Sequence, residues 1–278
     1  MEVVVNGGPV APPPGDGGGR PSRGSALVRE PSPRLADGIV THVDRVPVDV
    51  EVARAQHRAY VAALAGHGWS PLAVADPDPY PDGVFVEDTA VVVDDLVVLT
   101  RPGAPERRGE VGATQEAVAA LGLQVARIPA PATLDGGDVL QVGRTVYVGR
   151  GGRTDAAGVR ALRSLVAPLG RTVVPVTLRG VLHLKSAVTA LPDGTLLGLP
   201  HRVDPGGLPA LRTPPEEAGA HVVPLGGATV LVSASAPRTV AWLDDLGFDV
   251  VAVEVGEFEK LEGCVTCLSV LIPGRDVR

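Results

Sequence analysis

The 278-residue sequence predicts a mixed α/β fold built from about five related units. The first observation behind this is a recurring pattern, in which a helix-like stretch ends in a small residue and glycine and an apolar strand follows. It occurs at Gly68-Trp69 before Leu72-Ala73-Val74, at Leu121-Gly122 before Val125 and at Leu169-Gly170 before Val173. It recurs at Ala218-Gly219 before Val222 and at Leu246-Gly247 before Val250. Each glycine stands where a helix C-cap takes positive φ. The second observation is spacing: the first four glycines lie about 50 residues apart and the last about 30 further on. The third is composition. With 35 Gly and 27 Pro the chain must turn often, which disfavours a helical bundle or coiled coil. At 45% apolar residues and only 3% aromatic, it fills a sizeable core mostly with aliphatic side chains.

The elements follow in order. Residues 1–24 are half Gly and Pro, with Pro12-Pro13-Pro14 and Gly17-Gly18-Gly19, so they bury too little apolar surface to offset their ordering entropy. They are expected to form a disordered tail ahead of one domain over 25–278, whose folded part starts near Ala26-Leu27-Val28. The clearest unit reads as a helix from Asp155 to Leu169, a strand from Thr172 to Val176, and strands from His183 to Thr189 and Thr195 to Leu199. The turn Pro192-Asp193-Gly194 joins the last two. Hairpins inside the units argue against the plain βαβ crossovers of a doubly wound sheet. Neither a G-x-G-x-x-G nor a Walker A sequence appears, so no nucleotide is implied. The longest stretch free of Asp, Glu, Lys and Arg, from Ala218 to Pro237, contains Pro224, Gly226 and Gly227. It reads as two strands and a turn rather than a membrane span.

Charge and cysteine content narrow the function. The 25 Lys and Arg against 32 Asp and Glu leave a net −7, which suits a cationic partner and not a nucleic acid. Two cysteines cannot build the disulfide framework of a secreted domain. The N-terminus has no basic start followed by an apolar run, so a soluble cytoplasmic protein is expected.

Four segments carry candidate chemistry. Cys264-Val265-Thr266-Cys267 reads as a redox pair, as half of a zinc site, or as a turn that places Cys267 as a nucleophile at the mouth of the strand Leu268–Ile272. His183, in Val181-Leu182-His183-Leu184-Lys185-Ser186, is either a packed core histidine or a general base. Thr133-Leu134-Asp135-Gly136-Gly137-Asp138 is either a tight turn or a place where small glycines admit a substrate while Asp135 orients an imidazole. In Asp82-Gly83-Val84-Phe85-Val86-Glu87-Asp88, the adjacent acids enter the apolar run Ala90–Val93. Strand alternation would point Glu87 and Asp88 to opposite faces, so at least one needs a partner. Three carboxylates this close suit a planar, delocalised cation such as a guanidinium.

Together these segments resemble the dimethylarginine dimethylaminohydrolase family of guanidine-modifying enzymes. The matching strings are VFVEDTAVV at 84–92, TRPGAPERRGE at 100–110, TLDGGDVL at 133–140, LHLKS at 182–186 and TCLSVL at 266–271, in family order over most of the chain. The resemblance implies a five-bladed α/β propeller, the pentein fold, in agreement with the five units. It implies Cys267 as nucleophile, His183 as general acid and base, and Asp135 as the carboxylate orienting His183. It places Asp82, Glu87 and Asp88 at the guanidinium and polar end of the substrate, and Arg101 and Arg153 at its α-carboxylate. Leu261 would offer backbone contacts, and Val40 falls near the family's mobile lid. The reaction implied is hydrolysis of an Nω-methylated arginine to citrulline and a methylamine, with neither metal nor organic cofactor. An arginine deiminase-like hydrolase and a non-catalytic binder of arginine-like ligands are the alternatives, and both monomer and homodimer stay open. The long tail and Cys264 depart from the family pattern.

Overall fold

The computed structural model describes residues 22–75 and 79–274. Following the chain, the elements are β1 (Gly24–Val28), α1 (Val50–Gly66), β2 (Trp69–Ala73), β3 (Ala90–Val93), β4 (Leu96–Leu99), α2 (Val111–Ala119) and β5 (Gln124–Arg127). Then come β6 (Val139–Val142), β7 (Thr145–Arg150), α3 (Ala156–Val166), β8 (Thr172–Thr177), β9 (Val188–Ala190), β10 (Leu196–Gly198) and β11 (Leu211–Arg212). The last are β12 (Val222–Gly226), β13 (Thr229–Ser233), α4 (Pro237–Asp245), β14 (Asp249–Val253), α5 (Gly256–Glu259) and β15 (Val270–Pro273).

These strands form five three-stranded sheets. Each has one antiparallel and one parallel pairing, as in β3-β4-β5 and β6-β7-β8. In β3-β4-β5, β6-β7-β8 and β12-β13-β14 a tight turn makes the antiparallel pair, and an α-helix carries the chain to the parallel one. The sheet β15-β1-β2 closes the ring, because the last strand pairs antiparallel with the first. One strand from each sheet (β3, β6, β9, β12 and β15) lines a common central cavity of about 270 Å³. The architecture is therefore the five-bladed α/β propeller expected from the sequence.

Local chemistry explains the helices. Asp49 caps α1 by accepting from the N–H groups of Glu51 and Val52, and Asp155 caps α3 by accepting from Gly158. Helix α3 buries Gly158, Val159, Leu162 and Val166, a stripe at helical spacing. A 3-10 turn, Ala167–Leu169, extends it to Gly170 at φ 69°, so the helix ends where the sequence pattern ends it.

Three expectations are corrected. Gly219 does not cap a helix, since it precedes β12 within a 3-10 turn and has no positive φ. Its lack of a side chain instead lets Thr239 approach, because a Cβ there would meet Thr239 Oγ1 at 2.2 Å. The fourth unit has no α-helix between β10 and β11, only short 3-10 turns. The segment His183–Thr189 is not one strand. Leu184–Ser186 form a 3-10 turn because the Leu184 N–H donates to Asp138 Oδ1 at 2.9 Å instead of joining a ladder.

The folded chain begins slightly earlier than expected. The Arg23 N–H donates to the Gly68 carbonyl and the Arg23 carbonyl accepts from Gly274. The expected tail otherwise falls on residues 1–21, outside the described residues. Among the described residues no helix is long and apolar enough to cross a membrane.

Candidate active site

A small cleft with about 20 Å³ of free space gathers side chains from distant parts of the chain. Of the residues singled out in the sequence, Asp82, Asp88, Arg153, His183, Leu261 and Cys267 line it, and Asp135 sits directly behind His183. Turns deliver them. Val86–Thr89 form a 3-10 turn closed by the Thr89 hydroxyl donating to the Val86 carbonyl. Cys267 ends a turn in which its N–H donates to the Cys264 carbonyl at 3.1 Å.

Asp135 is fully buried and both its oxygens are used. Oδ2 lies 3.0 Å from His183 Nε2, and Oδ1 accepts from the Gly103 N–H at 2.8 Å. Its own N–H donates to Thr154 Oγ1, and that hydroxyl donates to Asp138 Oδ2 at 2.5 Å. Asp138 also accepts from the Leu184 N–H, so this one buried carboxylate fixes the backbone on both sides of the Asp135–His183 pair.

Asp88 is the electrostatic hinge. Oδ2 accepts from Arg107 at 2.5 Å, while Oδ1 accepts from the Gly137 N–H and lies 3.7 Å from His183 Nε2. Burial favours its neutral form, but His183 and Arg107 outweigh burial and hold it at about 2. Burial alone would likewise lower His183. Asp88, the Asp135 hydrogen bond and the charge of Asp138 prevail and raise it to about 9, so the imidazole is protonated near neutral pH. Arg107 was missed in the sequence. Its guanidinium also donates to both Glu110 oxygens and to the carbonyls of Asp82 and Phe85. The signal lay in the string 100–110, where Arg107 and Glu110 are three residues apart and pair across one turn.

The two sulfurs are 3.4 Å apart. Their shared hydrogen bond lowers the Cys264 thiol and raises that of Cys267. Burial and the carboxylates of Glu87 and Asp88 push Cys267 further up, so its thiol is protonated. Asp82 accepts the Ile39 N–H with both oxygens, and burial raises its carboxyl. Arg153, also in the cleft, opposes that rise.

Three residues expected at the substrate do not line the cleft. Glu87 lies in a 3-10 turn and not in a strand, yet it points away from Asp88 as alternation predicts. It faces the central cavity, pairs with Lys185 at 2.6 Å and accepts from Thr266 Oγ1, and burial raises it to about 7. Arg101 turns away to the carbonyls of Pro131 and Ala132, while its backbone carbonyl accepts from Leu134 and so anchors the Asp135 segment. Val40 packs against the rim of a hydrophobic cluster, and its neighbour Ile39 lines the cleft in its place.

Donor atoms of Asp88, Asp135 and His183 lie within 4.8 Å of one another, near enough in principle for a metal ion. The chemistry argues otherwise: Asp88 already pairs with Arg107, and a protonated imidazole has no lone pair to give. The cluster is built to hold protons.

Gly137 makes this packing possible. A Cβ on it would lie 2.7 Å from both Asp88 Oδ1 and His183 Nδ1. Gly137→Ala is therefore expected to lower kcat/KM by about 10²-fold or more, since sub-ångström misplacement of reacting groups is costly. Steady-state kinetics check it, and near-wild-type activity would contradict the geometry.

The chain is similar to named enzymes along most of its length. It is 58% identical over 246 residues to the N(G),N(G)-dimethylarginine dimethylaminohydrolase of Streptomyces coelicolor, covering 88% of this chain and 95% of that one. It is 32% identical to the enzyme of that name from Pseudomonas aeruginosa, covering 87% and 97%. The solved structure of a cysteine-to-serine variant of the Pseudomonas aeruginosa enzyme, complexed with citrulline, superposes with a TM-score of 0.82 at 31% identity, covering 90% and 99%. A dimethylarginine dimethylaminohydrolase structure, a histidine-to-glycine variant as an adduct with S-methyl-L-thiocitrulline, gives a TM-score of 0.82 at 30% identity, covering 88% and 98%. An arginine dihydrolase domain from cyanobacteria matches at a TM-score of 0.78 and 20% identity, which bears on the fold alone. No family model matches the sequence. Ring of five sheets, cleft and relatives agree, and the chain belongs to the dimethylarginine dimethylaminohydrolase family.

Proposed function

We infer that the protein hydrolyses Nω-methylated arginine to citrulline and a methylamine. The observation that carries this is one cleft holding a thiol, a protonated imidazole backed by buried carboxylates, and further carboxylates for a cation. The guanidinium enters beside Asp88 and Asp82, and its positive charge favours loss of the Cys267 proton. The Cys267 sulfur attacks the guanidinium carbon. As the bond from that carbon to the methylated nitrogen breaks, His183 gives its proton to the departing amine. Water then attacks the same carbon with His183 as base. The carbon–sulfur bond breaks, citrulline leaves and the thiol is restored. Asp135 orients the imidazole throughout.

Arg153 is assigned to the substrate's α-carboxylate and Leu261 to backbone contact with its polar end, because both line the cleft. Glu87 and Arg101 support the turns that carry Asp88 and Asp135. Val40 belongs to the segment that closes over the substrate. The N–H of Ile39 is held by Asp82, and those of Thr41 and His42 by Glu262. With about 20 Å³ free, that segment must move to admit an amino acid. We assign catalysis to residues 25–278 and read the chain as a cytoplasmic enzyme, monomer or homodimer.

Citrulline formation tests the reading, with asymmetric dimethylarginine and arginine compared in parallel. Product mainly from dimethylarginine is expected. Product only from arginine would make the protein a deiminase. The pH profile adds a second check. Protonated His183 is required and is held at about 9, so kcat/KM should fall as pH rises through about 9. A basic limb near 6.5, the unperturbed histidine value, would contradict the Asp88 and Asp135 contacts.

A further inference from the structure

The hydrolytic steps use one sulfur, yet two lie in the site. Cys264 Sγ and Cys267 Sγ are 3.4 Å apart, both reduced, with the Thr266 hydroxyl 3.3 Å from Cys264. A backbone hydrogen bond from the Cys267 N–H to the Cys264 carbonyl closes the turn between them at 3.1 Å. Such a turn keeps its end Cα atoms within about 7 Å, inside or close to the span a disulfide bridges. The sulfurs need approach by only about 1.4 Å to reach bonding distance, a shift within reach of side-chain rotation. Cys267 lines the cleft and Cys264 does not, so a small oxidant entering by the substrate's route meets Cys267 first and Cys264 stands behind it.

We propose that Cys267 and Cys264 form a reversible disulfide in the presence of a peroxide, with Cys264 as the resolving thiol. The Cys267 thiol gives up its proton as its sulfur attacks a peroxide oxygen; the O–O bond breaks, leaving a sulfenic acid on Cys267, and the departing oxygen takes up that proton and leaves as water. The Cys264 sulfur then attacks the sulfenic sulfur. The S–O bond breaks, a second water leaves and the S–S bond forms. Two thiols and one hydrogen peroxide give one disulfide and two waters, and a dithiol reverses it. The bond removes the nucleophile and bars its further oxidation to sulfinic acid. The loss of activity rests on Cys267 being the nucleophile; the disulfide itself does not.

The test is hydrogen peroxide treatment of the full chain, then alkylation, trypsin digestion and mass measurement, with activity assayed before and after adding dithiothreitol. Both cysteines fall in the single peptide between Lys260 and Arg275. The expected peptide is two hydrogens lighter than the dithiol and resists alkylation. Activity is lost with it and returns in full with the dithiol. In Cys264→Ala the peptide should instead gain oxygens, and dithiothreitol should fail to restore activity at high peroxide. A wild-type peptide that gains one to three oxygens, or that stays an alkylatable dithiol, overturns the proposal. Wild-type mapping decides the matter even if the variant does not fold. A disulfide with unchanged activity would overturn the assignment of Cys267 as nucleophile and leave the oxidation standing.

Discussion

Cys267→Ser is expected to abolish citrulline formation, by about 10⁴-fold or more in kcat, while leaving the melting temperature close to wild type. A hydroxyl does not ionise in reach of neutral pH, and nothing in the cleft is placed to make it do so. His183 carries a proton at neutral pH and is a donor. The oxygen fits the space of the buried sulfur, so the fold should survive. The assay is product formation from asymmetric dimethylarginine, with a thermal melt as the control. A variant retaining a tenth of the activity would remove Cys267 from the chemistry.

The second large effect is expected at Asp88, through both stability and protonation. Its oxygens accept from Arg107 and the Gly137 N–H, and His183 forms an ion pair with it at 3.7 Å. Asp88→Asn turns one of those acceptors into a donor and leaves Arg107 with one salt-bridge partner, Glu110. Breaking a buried ion pair from one side costs about 3–5 kcal/mol. His183 would lose the carboxylate that does most to raise it against burial, and the basic limb of kcat/KM should move down from about 9. Loss of the imidazolium takes away general acid help worth about 10²–10⁴-fold. The sign for stability follows from the Asp88 shift. A carboxyl lowered to about 2 contributes fully above its unfolded value near 3.9, and that contribution is lost as pH falls through about 2. Melts from pH 7 to pH 2 should therefore show wild type and variant converging in acid. A constant gap between them would contradict the ion pair.

Residues whose partners are near in sequence, or whose motif is compact, were legible from the string. The five-unit ring was readable because glycine with positive φ ends helices before β2, β5, β8 and β14, at Gly68, Gly122, Gly170 and Gly247. Gly219 mimicked the pattern for another reason, close packing on Thr239. Cys267, His183 and Asp135 stood out by residue type. Their dependence on Asp138 and Thr154 did not, because that network is made of backbone N–H groups and a hydroxyl. Glu87 and Asp88 part as alternation predicts, one to the central cavity and the other to the cleft, but a 3-10 turn separates them and not a strand. Arg101 and Arg107 are alike in the string. Only tertiary contacts separate an arginine that ties two loops from one that holds Asp88 in the cleft.

The covalent step at Cys267 is the centre of this account, and one trapping measurement reaches it. His183→Gly, mixed with S-methyl-L-thiocitrulline, should accumulate an adduct: the leaving thiolate needs no proton donor, and the missing imidazole can no longer help water to release the product. After an acid quench and digestion, the peptide between Lys260 and Arg275 should be heavier by the substrate less methanethiol, with the added mass on Cys267. An unmodified peptide, or an adduct carried by Cys264, would contradict it.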